Sequence, residues 1–189
     1  MVAVYCGSRI GNSPIYQQVA SELGEALVKA GLGLVYGAGS IGIMGVVSDS
    51  VLTNGGKAIG VIPEFLGKKE IPNSHLTQLY ITDTMHTRKA MMAMFADAFV
   101  TLSGGLGTLE ELMEVATWRQ LYQHQKPIII LNTDGFYDAL IAHLDNTVTE
   151  GFMSQGDLDR IIVCDTVSEV IGALKPIVRM DEDVAVERF

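Results

Sequence analysis

The sequence predicts an α/β fold, a Rossmann-like, doubly wound parallel sheet in a single domain. Short apolar runs of strand length alternate with longer segments whose apolar residues recur at helical spacing, which is typical of a parallel sheet with helices on both faces. Two of these strands end directly in glycine-rich turns. Because such sheets bind ligands at the carboxyl ends of their strands, we expect the functional site at that edge.

Composition places further bounds on the protein. The 189 residues are 48% apolar and 19% charged, as in one globular domain with a substantial core. We assign residues 1–178 to this domain and residues 179–189 to a charged C-terminal tail. The net charge of −9 argues against a surface for nucleic acid or anionic membranes, since both need clustered Lys and Arg. A small anion held locally is compatible with that charge.

The ends of the chain and its cysteines predict a cytoplasmic protein. The first strand follows Met1 directly, which leaves no room for a signal peptide, and no apolar run reaches the roughly 20 residues of a membrane span. Cys6 and Cys164 lie in apolar runs without metal-ligand spacing. We therefore expect free thiols in a reducing compartment and no metal site.

Each element has its own local signal. Predicted strands cover residues 2–6, 32–36, 57–62, 76–81, 97–102, 127–131 and 161–164, and predicted helices cover residues 14–30, 43–53, 85–95, 108–122, 136–150 and 166–174. Ser13 precedes Pro14 as a helix N-cap, and Thr166 with Glu169 has the spacing of a capping box. The polar residues 64–74 are expected to form a surface loop.

The turn from Ser103 to Thr108 has the strongest ligand signal. Its three glycines let a ligand approach the backbone closely, and the following helix directs its first N–H groups and its dipole at an anion, most simply a phosphate. Thr108 and Glu111 match a Thr-x-x-Glu capping box, which would make Glu111 structural. A carboxylate there would also reach a ligand held by the turn, and the two roles are compatible.

A second glycine-rich turn contains Gly37, Gly39 and Gly42 and leads into Met44. With Glu64 it matches the dinucleotide fingerprint, but it follows the second predicted strand and its acidic residue follows a proline. We therefore favour a loop that contacts phosphate or ribose over one that binds nicotinamide, so that two loops would hold a nucleotide from two sides.

Arg88 is the cation best placed for chemistry. It shares a helix face with Met85 and Met92, so we expect it to be half buried and paired with a carboxylate or phosphate rather than to form an exposed basic pair with Lys89. The surrounding methionines are expected to pack in the core. Arg88 and Glu111 form the strongest chemical pair in the sequence.

These motifs resemble the Lonely Guy (LOG) family of phosphoribohydrolases, long labelled lysine decarboxylases. The resemblance rests on Met85-His86-x-Arg88-Lys89 and on Ser103-Gly104-Gly105-x-Gly107-Thr108-x-x-Glu111, and it extends over residues 2–174 through Cys6-Gly7-Ser8 and Gly60-Val61-Ile62-Pro63. Family members cleave the N-glycosidic bond of nucleoside 5′-monophosphates, typically N6-prenylated AMP, to the free base and ribose 5-phosphate. They need no organic cofactor and generally form homodimers with active sites near the subunit interface.

The resemblance implies a role for each matching residue. Arg88 and Glu111 would be catalytic. The implied substrate-binding residues are Glu70, Lys89, Gly104, Gly105, Leu106, Gly107, Thr108, Leu109, Glu110 and Thr117. The family motif usually begins with proline where this chain has Ser103, a difference that bears on the rigidity of the loop.

Three other functions come into consideration for the same glycine-rich loops and charged residues. A hydrolase of AMP or purine nucleotides in general would differ only in the pocket around N6. A nucleotide sensor would bind through the same loops without cleavage. Lysine decarboxylation would need pyridoxal phosphate on a lysine, and no lysine has a recognisable Schiff-base context.

Overall fold

The computed structural model describes residues 1–67 and 72–175 and has a seven-stranded sheet at its centre. Neighbouring strands are all parallel, in the order β4-β3-β2-β1-β5-β6-β7. The strands are β1 (Val2–Tyr5), β2 (Leu34–Tyr36), β3 (Ala58–Pro63), β4 (Gln78–Thr82), β5 (Ala98–Thr101), β6 (Ile128–Leu131) and β7 (Ile161–Cys164).

Helices connect successive strands and cover both faces of the sheet. They are α1 (Ile15–Lys29), α2 (Gly42–Thr53), α3 (Glu64–Gly67), α4 (Met85–Phe95), α5 (Leu106–Gln120), α6 (Asp138–Thr149), α7 (Gln155–Leu158) and α8 (residues 167–175). Among the described residues, none of these helices is long and apolar enough to cross a membrane.

The core consists of two apolar layers, one on each side of the sheet. On one side α1, α2 and α8 bury Leu23, Val47 and Val170. On the other side α4 and α5 bury Met92 and Leu112. The central strands β1, β2, β5 and β6 are buried on both faces, which is why they are apolar runs without alternation, whereas the edge strands β4 and β7 are partly exposed. The predicted doubly wound α/β fold is confirmed.

The strand order reverses between β1 and β5, and this switch point determines where a ligand can bind. β1 leads into α1 on one face and β5 leads into α5 on the other, so the two loops separate at the carboxyl edge. Gly7 N–H donates to the Ser103 carbonyl at 3.1 Å and joins the loops at their base. The glycine-rich turn predicted to bind phosphate therefore lies at the switch point.

Several local predictions are confirmed and others are wrong. Thr84 caps α4 by accepting from Thr87 N–H at 3.1 Å, and the capping box before α8 forms as predicted. Residues 64–67, predicted as loop, form the single turn α3, and α7 was not predicted. Both have four residues, too few to show helical periodicity. The proposed tail, 179–189, lies outside the described residues.

Candidate active site

A cavity of about 230 Å³ opens at the switch point, between the β1–α1 loop and the start of α5. The carboxyl end of β1, the second glycine-rich turn, α3, α4 and α5 all contribute to its walls. The described residues that line it are Val4, Cys6, Gly7, Ser8, Gly37, Met44, Leu66, Met85, Arg88, Gly105, Leu106, Gly107, Thr108, Glu110 and Glu111. The cavity thus combines an open helix N-terminus, a buried ion pair and an apolar wall.

Helix α5 begins with its backbone open to the cavity. Gly105 is the N-cap in extended conformation, and no side chain caps the first N–H groups. A methyl group on Gly105 or Gly107 would meet no atom of the described residues within 4 Å. Packing within the protein therefore does not require glycine at these two positions, and the bare backbone is what an anion at a helix N-terminus needs.

The predicted capping box of Thr108 and Glu111 is wrong. Because α5 begins at Leu106, Thr108 is the third residue of the helix and is not its N-cap. The Thr108 side chain is buried against Gly104, and a Cβ atom on Gly104 would overlap the hydroxyl group of Thr108. The Glu111 carboxylate pairs with Arg88 of α4 instead, and its predicted contact with a ligand stays a prediction.

Arg88 and Glu111 form a buried ion pair between α4 and α5. Nη1 of Arg88 lies 3.3 Å from Oε1 of Glu111, and the two side chains are 11% and 9% exposed. Arg88 Nε donates to the carbonyl of Val61, within β3, at 3.1 Å, which fixes the guanidinium. The pairing predicted for Arg88 is confirmed, and the residue is more deeply buried than expected.

The Glu111 carboxyl group is poised to exchange a proton near neutral pH. Burial raises its pKa to about 7, while the charge of Arg88 opposes this rise. Oε1 faces Nη1 of Arg88 in the ion pair and makes no hydrogen bond among the described residues. A buried carboxyl group with a raised pKa at the wall of a cavity has the properties of a general base.

Lys89, for which the resemblance implies a contact with the substrate, forms ion pairs within the protein. Its ammonium group pairs with Glu110 and, at 3.1 Å, with Oε1 of Glu114, and its side chain is 5% exposed. Burial alone would lower the pKa of Lys89, but the two carboxylates outweigh burial and raise it. Lys89 is not among the described residues that line the cavity.

The second glycine-rich turn packs within the protein. A Cβ atom on Gly42, whose φ is +68°, would overlap Ser8, and one on Gly37 would overlap the guanidinium of Arg88. The Met44 N–H donates to the Gly7 carbonyl at 3.3 Å, so this helix start already has an acceptor. These contacts account for the glycines without a phosphate. A ligand contact by Gly37 or Met44, which line the cavity, stays a prediction.

Thr117, Leu109 and Gly39 are not among the described residues that line the cavity. Thr117 is exposed and donates to the Met113 carbonyl at 2.7 Å, Leu109 packs in the core, and Gly39 lies against Met44. Glu70 is outside the described residues. Their substrate-binding roles stay predictions.

Several cavity residues were not predicted from the sequence. Cys6, Gly7 and Ser8 were noted only as a motif, although their place after the first strand of a doubly wound sheet was a usable signal. Met85 lines the cavity, and Met94 is 67% exposed, so the expectation of core packing is wrong for both. Glu114, one turn beyond Glu110, was missed as a partner of Lys89.

Ser103, where the resemblance implies a proline, makes no hydrogen bond through its side chain among the described residues. The residue is buried, and its hydroxyl oxygen has no partner among the described residues. Its carbonyl accepts the bond from Gly7 that joins the two loops. The contribution of this position is therefore through its backbone.

A wider apolar pocket of about 540 Å³ lies on the other side of the α5 N-terminus. Ile10, Tyr16, Ile43 and Phe136 are among its lining residues. It shares four lining residues with the cavity: Gly7, Ser8, Gly105 and Leu106. The start of α5 can thus be reached from two sides.

Comparison with known proteins identifies relatives over most of the chain. A family model described as "Possible lysine decarboxylase" matches residues 44–174. The cytokinin riboside 5′-monophosphate phosphoribohydrolase LOG of Oryza sativa subsp. japonica is 51% identical over 162 residues, which cover 86% of this chain and 66% of the rice protein. The Arabidopsis thaliana enzyme LOG1 is 44% identical over 184 residues, with coverages of 97% and 86%.

Solved structures with the same fold are more distant in sequence. The molybdenum cofactor carrier protein of Chlamydomonas reinhardtii superposes with a TM-score of 0.70 at 20% identity, covering 94% of this chain and 97% of that one. The protein TM1055 superposes with a TM-score of 0.70 at 23% identity, covering 93% and 98%. At this identity the likeness extends to the fold alone.

Proposed function

Because the chain belongs to the LOG family of phosphoribohydrolases, we propose that it hydrolyses the N-glycosidic bond of adenosine 5′-monophosphates, with or without an N6 substituent. The products would be the free base and ribose 5-phosphate, and with N6-prenylated substrates the reaction would activate a cytokinin. The proposal rests above all on the buried pair of Arg88 and Glu111 at the wall of a cavity that the bare N-terminus of α5 also enters.

The two ends of the substrate match two parts of the cavity. The N–H groups and dipole of α5, left open by Gly105 and Gly107, suit the 5′-phosphate. The methionines Met44 and Met85 form an apolar wall that suits a purine base. Glu111, one turn into α5, would then lie near the sugar between them.

The chemistry follows from the charge that develops when the base leaves. Cleavage of the bond between C1′ and the base nitrogen produces an oxocarbenium-like transition state. The Glu111 carboxylate would stabilise this charge and accept a proton from the water that attacks C1′, and that proton balances the one that the departing base gains. Arg88 would hold Glu111 in position, and the bound phosphate would fix the sugar so that its binding energy assists cleavage.

A pyridoxal-dependent decarboxylase, as the family-model description suggests, agrees less well with these residues. Lys89 is engaged by two carboxylates, and among the described residues no lysine lines the cavity. The absorbance of the purified protein tests this directly, because a lysine aldimine absorbs visible light.

Chromatography after incubation with AMP and with N6-isopentenyl-AMP tests the proposal. Free base from the wild type, with little from Glu111→Gln, would support hydrolysis at this site, and the ratio of the two rates would distinguish cytokinin activation from general AMP hydrolysis. Recovery of intact nucleotide, bound stoichiometrically, would favour the nucleotide sensor instead.

We also propose that the protein is a homodimer. On the outer face of α4, His86, Ala90 and Met94 are exposed at a spacing of four residues, with a small residue between a polar and an apolar one. A second subunit on this face would lie close to the helix that provides Arg88. Sedimentation of the wild type and of Met94→Glu measures the state, and a monomeric wild type would contradict the proposal.

A cytoplasmic location is a further proposal. Cys6 and Cys164 are both free and buried, which agrees with a reducing compartment. Cell fractionation with an antibody to the protein tests it.

A further inference from the structure

The ammonium group of Lys89 lies among carboxylates of α5 that flank Glu111 in the sequence. Glu110 precedes Glu111, and Glu114 lies one turn after Glu110. Lys89 follows Arg88 on α4 and pairs with both flanking residues, while Arg88 pairs with Glu111 itself. Two successive cations of one helix therefore bind three carboxylates on a single turn of the other.

The charge count in this cluster is unbalanced. Arg88 and Lys89 contribute two positive charges, and the three carboxylates contribute up to three negative ones. β1 packs against the same cluster through Tyr5 and Cys6, but burial raises the pKa of both well above its usual value, so both remain neutral. Without Lys89, Arg88 would face the three carboxylates as the only cation among the described residues that pair with them.

We propose that Lys89 is a positioning residue that keeps Glu111 ionised and aligned with Arg88. The inference rests on the proposed function for its effect on turnover, but its structural part does not depend on the reaction. It is supported by the absence of Lys89 from the described lining of the cavity and by the 5% exposure of its side chain.

The electrostatics of Glu111 agree in sign with this role. After burial and the charge of Arg88, the neighbours that act on the pKa of Glu111 are Glu110, which raises it, Lys89, which lowers it, and Glu114, which raises it. Removal of the Lys89 charge should therefore favour the protonated, inactive form of Glu111.

The test is the pH midpoint of Glu111 in variants of Lys89, measured in two ways. One is the acid limb of the dependence of kcat on pH. The other is the carboxyl resonance of Glu111 in ¹³C-glutamate-labelled protein, assigned by its loss in Glu111→Gln. Lys89→Met retains the length and packing of the side chain but removes its charge, and Lys89→Arg retains the charge.

We expect Lys89→Met to move both midpoints upward by about one pH unit, the scale on which a nearby charge shifts a buried carboxyl group. The rate at pH 6 would then fall about 10-fold and largely recover above pH 8. Lys89→Arg should have a much smaller effect. Adding Glu114→Gln to Lys89→Met should reverse part of the shift, and Glu114→Gln alone should lower the midpoint, which keeps the proposal testable if Lys89→Met does not fold.

Unmoved midpoints in Lys89→Met, with an increase in KM at every pH, would overturn the proposal in favour of a substrate contact. If no nucleotide is cleaved by the wild type, the function proposed above fails, but the resonance still reports whether Lys89 controls the ionisation of Glu111. The two failures are therefore distinguishable.

Discussion

Gly37 makes room for the guanidinium group of Arg88: a Cβ atom on this glycine would overlap Nη2. The guanidinium cannot easily move aside, because its Nε is bonded to the Val61 carbonyl and its Nη1 faces Glu111. Gly37, which was predicted to belong to a loop that contacts phosphate or ribose, therefore leaves the space that the ion pair between α4 and α5 requires.

This relationship predicts that Gly37→Ala impairs both catalysis and stability. The added methyl group would displace a guanidinium that is bonded on two sides, so we expect the free energy of unfolding to fall by about 1–3 kcal/mol. The rate should fall at least about 10-fold, because displacement of a catalytic group by about 1 Å can cost far more. Steady-state kinetics and urea unfolding measure the two effects.

Gly172→Ala is the matched control for this substitution. Gly172 lies in α8, where an added Cβ atom meets no described atom within 4 Å. The Gly172→Ala protein should retain full activity. A fully active Gly37→Ala protein would show that the position of the guanidinium is not critical for turnover.

Glu111→Gln should lower kcat by about 100-fold or more while the protein still binds nucleotide, because the amide cannot accept the proton from water. Isothermal titration with AMP and initial-rate measurements separate binding from turnover. Glu25→Gln, at a partly exposed glutamate paired with Lys29 on α1, is the control for loss of one negative charge. If Glu111→Gln turned over near the wild-type rate, Glu111 would have no part in the chemical step.

The raised pKa of Glu111 also predicts a cost in stability. The folded protein holds its carboxyl proton up to about pH 7, whereas the unfolded chain releases it near pH 4.5. Between these values the folded state binds more protons, so the free energy of unfolding must fall as pH rises. The decrease could reach about 3 kcal/mol, at about 1.4 kcal/mol per unit of pKa difference.

Glu111→Gln lacks this titration, and its stability relative to the wild type should therefore be greater at pH 8 than at pH 5. Urea unfolding of both proteins at the two pH values measures the effect, because the contributions of all other groups largely cancel. The same difference at pH 5 and pH 8 would mean that the pKa of Glu111 is close to its ordinary value in the folded protein.

The sequence was sufficient to predict the sheet and the pairing of Arg88 with Glu111, because in both cases burial restricts which residues can be present. Strands buried on both faces must be apolar throughout, so β5 and β6 are evident from composition alone. Likewise, an arginine beside methionines on one helix needs an anionic partner, and Glu111 was the nearest suitable one in the expected site.

Features that depend on packing between distant segments were not predictable in this way. The start of α5 was placed at Thr108 because threonine is a good N-cap, but extended Gly105 takes that role and lets Thr108 pack against Gly104. The direction of the Lys89 side chain depends on how α4 and α5 pack together, which residue spacing within one helix does not reveal.

The bare backbone at the start of α5 leads to a last prediction, in which stability and binding change in opposite directions. Gly107 is the second residue of α5, and an added Cβ atom there meets no described atom within 4 Å. Replacing a helical glycine with alanine stabilises a helix by up to about 1 kcal/mol, so Gly107→Ala should raise the free energy of unfolding. If the 5′-phosphate lies against this backbone, the same methyl group should raise the KM for AMP about 10-fold or more.

Gly156→Ala, at the second residue of α7 and away from the cavity, should leave the KM unchanged. An unchanged KM in Gly107→Ala as well would place the phosphate elsewhere in the cavity.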